Sequence, residues 1–193
     1  MDVDAIAQLF GYTQDWFRLG VVDASRVRAQ YDEFQTSTDT STEHYRHSAF
    51  LEYLATKAVV TDAELTAILN LADAGEDGCD MRRNRAMELI VRGIASESQA
   101  NRICQRQEFR DAKVIQLAAR KLSFRRQLES HGLTDIVFNT ACELDDSSII
   151  LAILDRDDLT RDHVDWISRN GPNTATRNRA TQMLRSRRFR DGG

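Results

Sequence analysis

Pro172 is the only proline among the 193 residues of this chain, and nine glycines accompany it. A β-sandwich or barrel reverses direction about every ten residues and needs turn residues at each reversal. This chain lacks that punctuation. It is not disorder-like either, since hydrophobic residues make up 41% of it, close to globular usage. Apolar residues recur at spacings of three and four among abundant Ala, Leu, Arg, Glu and Gln, which is helical patterning. The expected fold class is all-α.

The first 35 residues read as short helices. "DVDAIAQLF" stops at Gly11, "TQDWFRL" stops at Gly20, and "DASRVRAQYDEF" places Val27, Tyr31 and Phe34 on one face. The polar run "QTSTDTSTE" comes next, the one linker-like stretch in the chain. The expected organisation is an N-terminal helical segment at 1–35, a polar linker at 36–42 and a helical domain at 43–190.

Beyond the linker the sequence echoes itself. "RNRA" occurs at Arg83–Ala86 within "DMRRNRAMELIVRG" and at Arg177–Ala180 within "TATRNRATQMLRSR". Asp80 and Thr174 stand where helix N-caps are expected. Ala86, Leu89 and Ile90 match Ala180, Met183 and Leu184. Each copy comes after an amphipathic helix and a polar turn, "TDAELTAILNLADAG" and "LTRDHVDWISRNGPN". Weaker copies are "LTDIVFNTACELDDSSIILAIL" and "SESQANRICQRQEFRDAKVIQLAARKL", with "SFRRQLESHG" as an extra helix. One helix pair cannot bury its apolar stripe alone, whereas stacked pairs bury one another's stripes.

The apolar pairs Leu89/Ile90, Ile115/Leu117, Ile150/Leu151 and Met183/Leu184, with a polar turn before each second helix, resemble HEAT-like repeats and the leucine-rich-repeat-variant units over residues 43–190. The resemblance implies a short right-handed α-solenoid of about four helix pairs, and binding of other macromolecules along one face. HEAT repeats often carry a proline in the first helix, and none stands there in this chain.

"DAGEDGCDMRRN" has the look of a calcium loop, with Asp73, Asp77 and Gly78 at the first, fifth and sixth positions. Gly75 and Asn84 then occupy the third and twelfth, where oxygen ligands and the bidentate glutamate belong. The better reading is a turn between helices. Arg82, Arg83 and Arg85 open the next helix, where backbone N–H groups also favour anions. Arg177 and Arg179 repeat the arrangement. The stretch 166–190 holds Arg169, Arg177, Arg179, Arg185, Arg187, Arg188 and Arg190 with no acid, although the whole chain carries −4. Such asymmetry points to a partner or to an electrostatic fit within the chain.

Other clusters are weaker. His44 and His47 are three apart, without a third metal ligand nearby. In "DHVDWIS", Asp162, His163, Asp165 and Trp166 need not converge, and Trp166 aligns with core positions. "LDRDDLTRD" interleaves acids with arginines, which favours internal pairing, and Asp158 reads as an N-cap. Cys104 reads as a small buried hydrophobe. No nucleophile elbow, P-loop or dinucleotide fingerprint is present.

These features are those expected of a cytoplasmic, non-catalytic binding or assembly module: a scaffold, adaptor, inhibitor or immunity-type protein. The expected partner is a protein, with no cofactor, metal, small-molecule substrate or membrane. The alternative is nucleic-acid binding through the C-terminal arginine patch. The contact candidates are Arg82, Arg83, Arg85, Arg177, Arg179, Arg185, Arg187, Arg188 and Arg190.

Overall fold

A computed structural model of the chain describes residues 1–38, 41–72 and 78–190, apart from the side chains of residues 78–80, 187 and 190. Among the described residues all regular structure is helical. In order these are α1 (Val3–Leu9), α2 (Gln14–Arg18), α3 (Ala24–Thr36), α4 (Thr42–Ala55), α5 (Asp62–Leu69), α6 (Gly78–Val91) and α7 (Glu97–Gln105). A 3₁₀ turn (Gln107–Phe109) precedes α8 (Lys113–His131), α9 (Asp135–Leu144), α10 (Ser147–Leu154), α11 (Arg161–Asn170), α12 (Thr174–Leu184) and α13 (Arg187–Arg190). The chain divides into two compact units, 1–119 and 120–193, with the division inside α8. Among the described residues no helix is long and apolar enough to cross a membrane.

Local chemistry sets the helix starts. Thr61, Ser96, Thr160 and Asn173 each cap a helix through reciprocal bonds with the third helical residue, which is Glu64, Gln99, His163 and Thr176. Each box satisfies two backbone N–H groups, one at the cap and one in the first turn. Thr134 caps α9 through Val137 N–H, but valine has no polar group to reciprocate. Buried Val60, Ala95, Leu133 and Leu159 precede four of these caps and anchor the entering chain.

In the first unit, α1–α4 and the later helices share a core that includes Phe10, Trp16, Phe50, Leu54, Ile68, Met81, Leu89 and Ile103. Buried hydrogen bonds tie the segment 1–35 to residues beyond 42. Tyr12 Oη donates to Gln30 Oε1 (2.8 Å), and Gln30 Nε2 to the Tyr45 carbonyl (2.9 Å). Arg46 donates to the Phe10 carbonyl, and the Trp16 indole N–H to the Ala72 carbonyl (3.0 Å). Burial pushes the Tyr12 phenol up to about 12. α3 ends at Thr36 and α4 begins at Thr42, and both helices belong to the first unit. On α3, Val27 is fully buried and Tyr31 and Phe34 are half-buried, while Gln30 is the polar residue that joins Val27 inside.

In the second unit, Phe124, Val137, Phe138, Ile150, Ile153, Val164, Ile167, Ala180 and Phe189 form the core. "SFRRQLESHG" is not a separate helix. It continues α8 without a break to His131, because nothing in "ARKLSFRRQL" interrupts helical hydrogen bonding. Gly132, at φ +68°, ends α8 by donating to the Leu128 carbonyl. A Cβ there would also stand 3.1 Å from Asp158 Oδ2. Pro172 lies in the α11–α12 turn, and the residue before it, Gly171, ends α11.

Three expected caps are corrected. α6 begins at Gly78, so Asp80 lies within it. Asn173, one residue before Thr174, caps α12. Thr160 caps α11, and Asp158 accepts the Leu133 N–H instead (2.9 Å). The calcium-like residues Asp73, Gly75, Glu76 and Asp77 lie outside the described residues.

Candidate functional site

The same joint occurs once in each unit. In the first, α5 and α7 meet at their N-termini. Gln99, third residue of α7, accepts from Ser96 N–H (2.8 Å) and donates to the Val60 carbonyl (3.0 Å) and Asp62 Oδ1 (2.8 Å). Val60 N–H donates to the Ile94 carbonyl (3.3 Å). In the second unit, His163, third residue of α11, accepts from Thr160 N–H at Nδ1 (3.4 Å) and faces Asp135 Oδ1 with Nε2 (3.2 Å). Leu133 N–H donates to Asp158, which stands where Ile94 stands in the first unit. Asp62 and Asp135 are each the first residue of their helix, Val60 and Leu133 each precede the cap, and Gln99 and His163 are both buried.

The joints differ three residues further along. In α7 the sixth residue is Arg102, whose guanidinium pairs with Asp62 at 2.5 Å. The Asp62 carboxyl is held below its usual value by the Gln99 hydrogen bond first and by Arg102 second. In α11 the sixth residue is Trp166. It is 39% exposed, a correction to its expected core position, and packs edge-on against Phe138 at 5.6 Å and 86°. The other side of this aromatic layer is His163, stacked on Phe138 at 4.3 Å. The Asp135 side chain is 94% exposed, and no arginine or lysine among the described residues pairs with it. Asp162, one turn before Trp166, is exposed too.

The arginine candidates do not form one stripe. Arg85 is fully buried. It donates to the Leu71 carbonyl (2.7 Å) and lies 5.6 Å from the Trp16 ring, so its expected role as a surface contact is corrected. Arg179, its counterpart in the second "RNRA", is exposed and paired with Asp155. Arg177 donates to the Gly171 carbonyl (2.6 Å) and Thr174 Oγ1 (3.3 Å). Arg188 donates to the carbonyls of Arg156 (2.9 Å) and Asp157 (2.8 Å) and covers the Phe189 ring. Arg82, Arg83 and Arg185 are exposed, and the side chains of Arg187 and Arg190 lie outside the described atoms. Much of the basic C-terminal stretch thus serves the acids and carbonyls of its own unit.

The acids of "LDRDDLTRD" are used in the same way. Arg156 pairs with Asp158 (2.7 Å) and Arg179 with Asp155. Arg156 first, then the Leu133 N–H, lowers the Asp158 carboxyl to about 2. Among the described residues no three His, Cys, Asp or Glu side chains gather for a metal, and His44 and His47 acquire no third ligand there. Burial raises the Cys104 and Cys142 thiols, the latter to about 11, so both are poor nucleophiles at neutral pH. A shallow groove lined by Asn101, Cys104, Gln105, Arg110 and Gln116 encloses about 560 Å³ in the first unit, and a smaller one of about 260 Å³ lies beside Asp15, Arg18 and Asn70. Neither places a base beside a nucleophile.

No family model, no curated protein and no solved structure matches this chain.

Proposed function

We propose that the chain is a non-catalytic, helical-repeat binding module that recognises a protein, acting as an adaptor, inhibitor or immunity-type partner. The observation that carries this reading is the repeated joint, in which the same helix positions are linked in α5/α7 and again in α9/α11. Repetition of a pairing rule is what a stacked array requires. The pairs α5/α6, α7/α8, α9/α10 and α11/α12 are the units of a right-handed, HEAT-like solenoid in this reading. Arrays of that kind present a continuous helical face and need no catalytic pocket.

A protein partner is preferred to a nucleic acid because of how the arginines are used. Arg85 is interior, and Arg177, Arg179 and Arg188 are engaged within the chain. A phosphate-tracking surface keeps such groups available to release counterions. A net charge of −4 and exposed Ile136 and Trp166 favour a protein surface. We place the module in the cytoplasm, where its cysteines stay reduced.

The test is a salt series with short duplex and single-stranded DNA and RNA, run on the wild type and on a variant with Arg179, Arg185, Arg187 and Arg188 changed to alanine. The expected result is no saturable binding at low salt. Micromolar binding that falls linearly on a log–log plot with salt and disappears in the variant would give the function to nucleic-acid recognition.

A further inference from the structure

We propose that the α9/α11 surface of the second unit is a docking site for an arginine-bearing basic segment of a partner protein, with the guanidinium seated between Trp166 and the Asp135 carboxylate. The proposal rests on the protein-binding reading above and names the chemistry of the partner.

The first unit supplies the template. There the sixth residue of α7 brings a guanidinium to the first residue of α5, and the Arg102–Asp62 pair closes the joint at 2.5 Å on an open surface, with side-chain exposures of 48% and 68%. The second unit keeps three parts of that arrangement: a carboxylate at the first position of α9, a buried donor at the third position of α11, and a buried apolar fourth residue, Phe138 in place of Leu65. It has no arginine at the sixth position. That position is held by an indole that is 39% exposed, three residues from the His163 that contacts Asp135. The ring packs edge-on against Phe138.

An aromatic face beside a carboxylate is the complement of a cation. A guanidinium suits it better than an ammonium, because it can stack on the indole and donate sideways to the carboxylate together. Exposed Asp162 adds negative charge on the same turn of α11. A neutral or acidic peptide would gain neither contact. The geometry of the first unit shows that a cation at the sixth position of one helix can reach the carboxylate at the first position of the other.

The probe is an acetylated, amidated peptide of four arginines spaced by alanines, with the glutamate-for-arginine peptide as control. Binding to the full-length wild type is followed by the two tryptophan indole N–H resonances, since the chain has two tryptophans and Trp16 is buried, and affinity and stoichiometry of the wild type and every variant are compared by titration calorimetry. The expected result is that one indole resonance moves and saturates with the arginine peptide, and neither moves with the control. Trp166→Arg installs the first unit's own residue and should fill the site from within. Asp135→Asn removes the charge but keeps the shape. Each is expected to weaken binding about tenfold or more while retaining the helical circular dichroism of the wild type. Conversely, Arg102→Trp frees Asp62 and is expected to raise the stoichiometry from one peptide to two.

An indole that does not respond overturns the proposal. Equal binding by the wild type, Trp166→Arg and Asp135→Asn overturns the site but leaves the protein-binding reading standing. If the same indole moves on raising protein concentration without peptide, and Trp166→Arg abolishes the self-association seen by sedimentation, the occupant is a second copy of this chain and the foreign segment is ruled out.

Discussion

In the first unit an amide and a guanidinium, Gln99 and Arg102, meet Asp62; in the second an imidazole and an indole, His163 and Trp166, meet Asp135 and Phe138. The hydrogen-bonding plan is common to both. Each third-position side chain accepts from its own cap N–H and offers a second polar end to the neighbouring carboxylate. The difference lies in what covers the joint. The first unit neutralises its carboxylate from within, whereas the second spends its sixth position on an aromatic layer and leaves its carboxylate in water. Sealing a joint and presenting it are thus alternative uses of one position.

The largest expected difference between the joints is apolar. Phe138→Ala removes the ring that stacks on His163 and supports Trp166, and is expected to cost about 3–5 kcal/mol. Leu65→Ala at the matching position of α5 should cost about 2–4 kcal/mol. Urea unfolding of the two variants checks the order, and a larger loss at Leu65 would break the idea that the second joint depends more on its apolar layer.

The acceptor for the residue before the cap gives the next contrast. It is a carbonyl in the first unit and the Asp158 carboxylate in the second. Asp158→Ala is expected to cost about 1–2 kcal/mol at neutral pH, since the Leu133 N–H loses its partner. The wild-type contribution has a definite sign. A carboxylate lowered from 3.8 to about 2 in the folded state stabilises fully above pH 4 and is lost as pH falls through about 2. Denaturant midpoints between pH 5 and pH 2 should therefore fall more steeply in the wild type than in Asp158→Asn, which keeps an acceptor but cannot titrate.

Cap losses should be equal in the two units. Ser96→Ala and Thr160→Ala each remove one half of a capping box, and about 1 kcal/mol is expected from each. For a chain of this size that corresponds to roughly 2–4 °C in melting temperature. The smallest effect is expected from the exchange His163→Gln, within about 0.5 kcal/mol of wild type, because glutamine also carries an acceptor and a donor at its end. His163→Ala, with neither, should cost at least as much as a cap. A large loss in His163→Gln would show that stacking on Phe138, and not the two-ended hydrogen bonding, sets the choice of residue.

The helices were legible because their signals are local. The near-absence of proline and the three-and-four spacing of apolar residues mark the helices, whereas the caps expected at Asp80, Asp158 and Thr174 are each displaced. The "RNRA" echo correctly aligned Ala86 with Ala180, both fully buried. It could not show that Arg85 and Arg179 lead opposite lives. Arg85 is interior because Trp16 and Leu71 come to it from elsewhere in the chain, and no residue near Arg85 in sequence announces them. Trp166 failed for the converse reason. Its spacing fits a core face, but it meets Phe138 edge-on and stays 39% exposed. The joint itself left a faint trace: an acid just after one cap, and an amide or imidazole three residues after the next. That trace becomes readable only once the two helices are known to be neighbours.

The buried third-position residue carries two messages in one side chain. Its near end tells the backbone where to begin coiling, and its far end tells the helix which neighbour to choose. Most substitutions at Gln99 or His163 would therefore garble both messages together, whereas a change at Ser96 or Thr160 blurs only the first. A designer extending either unit by one more helix pair has correspondingly little to write: a hydroxyl, an acid beside it, and, three places along the next helix, a group that can both give and take a proton-mediated bond.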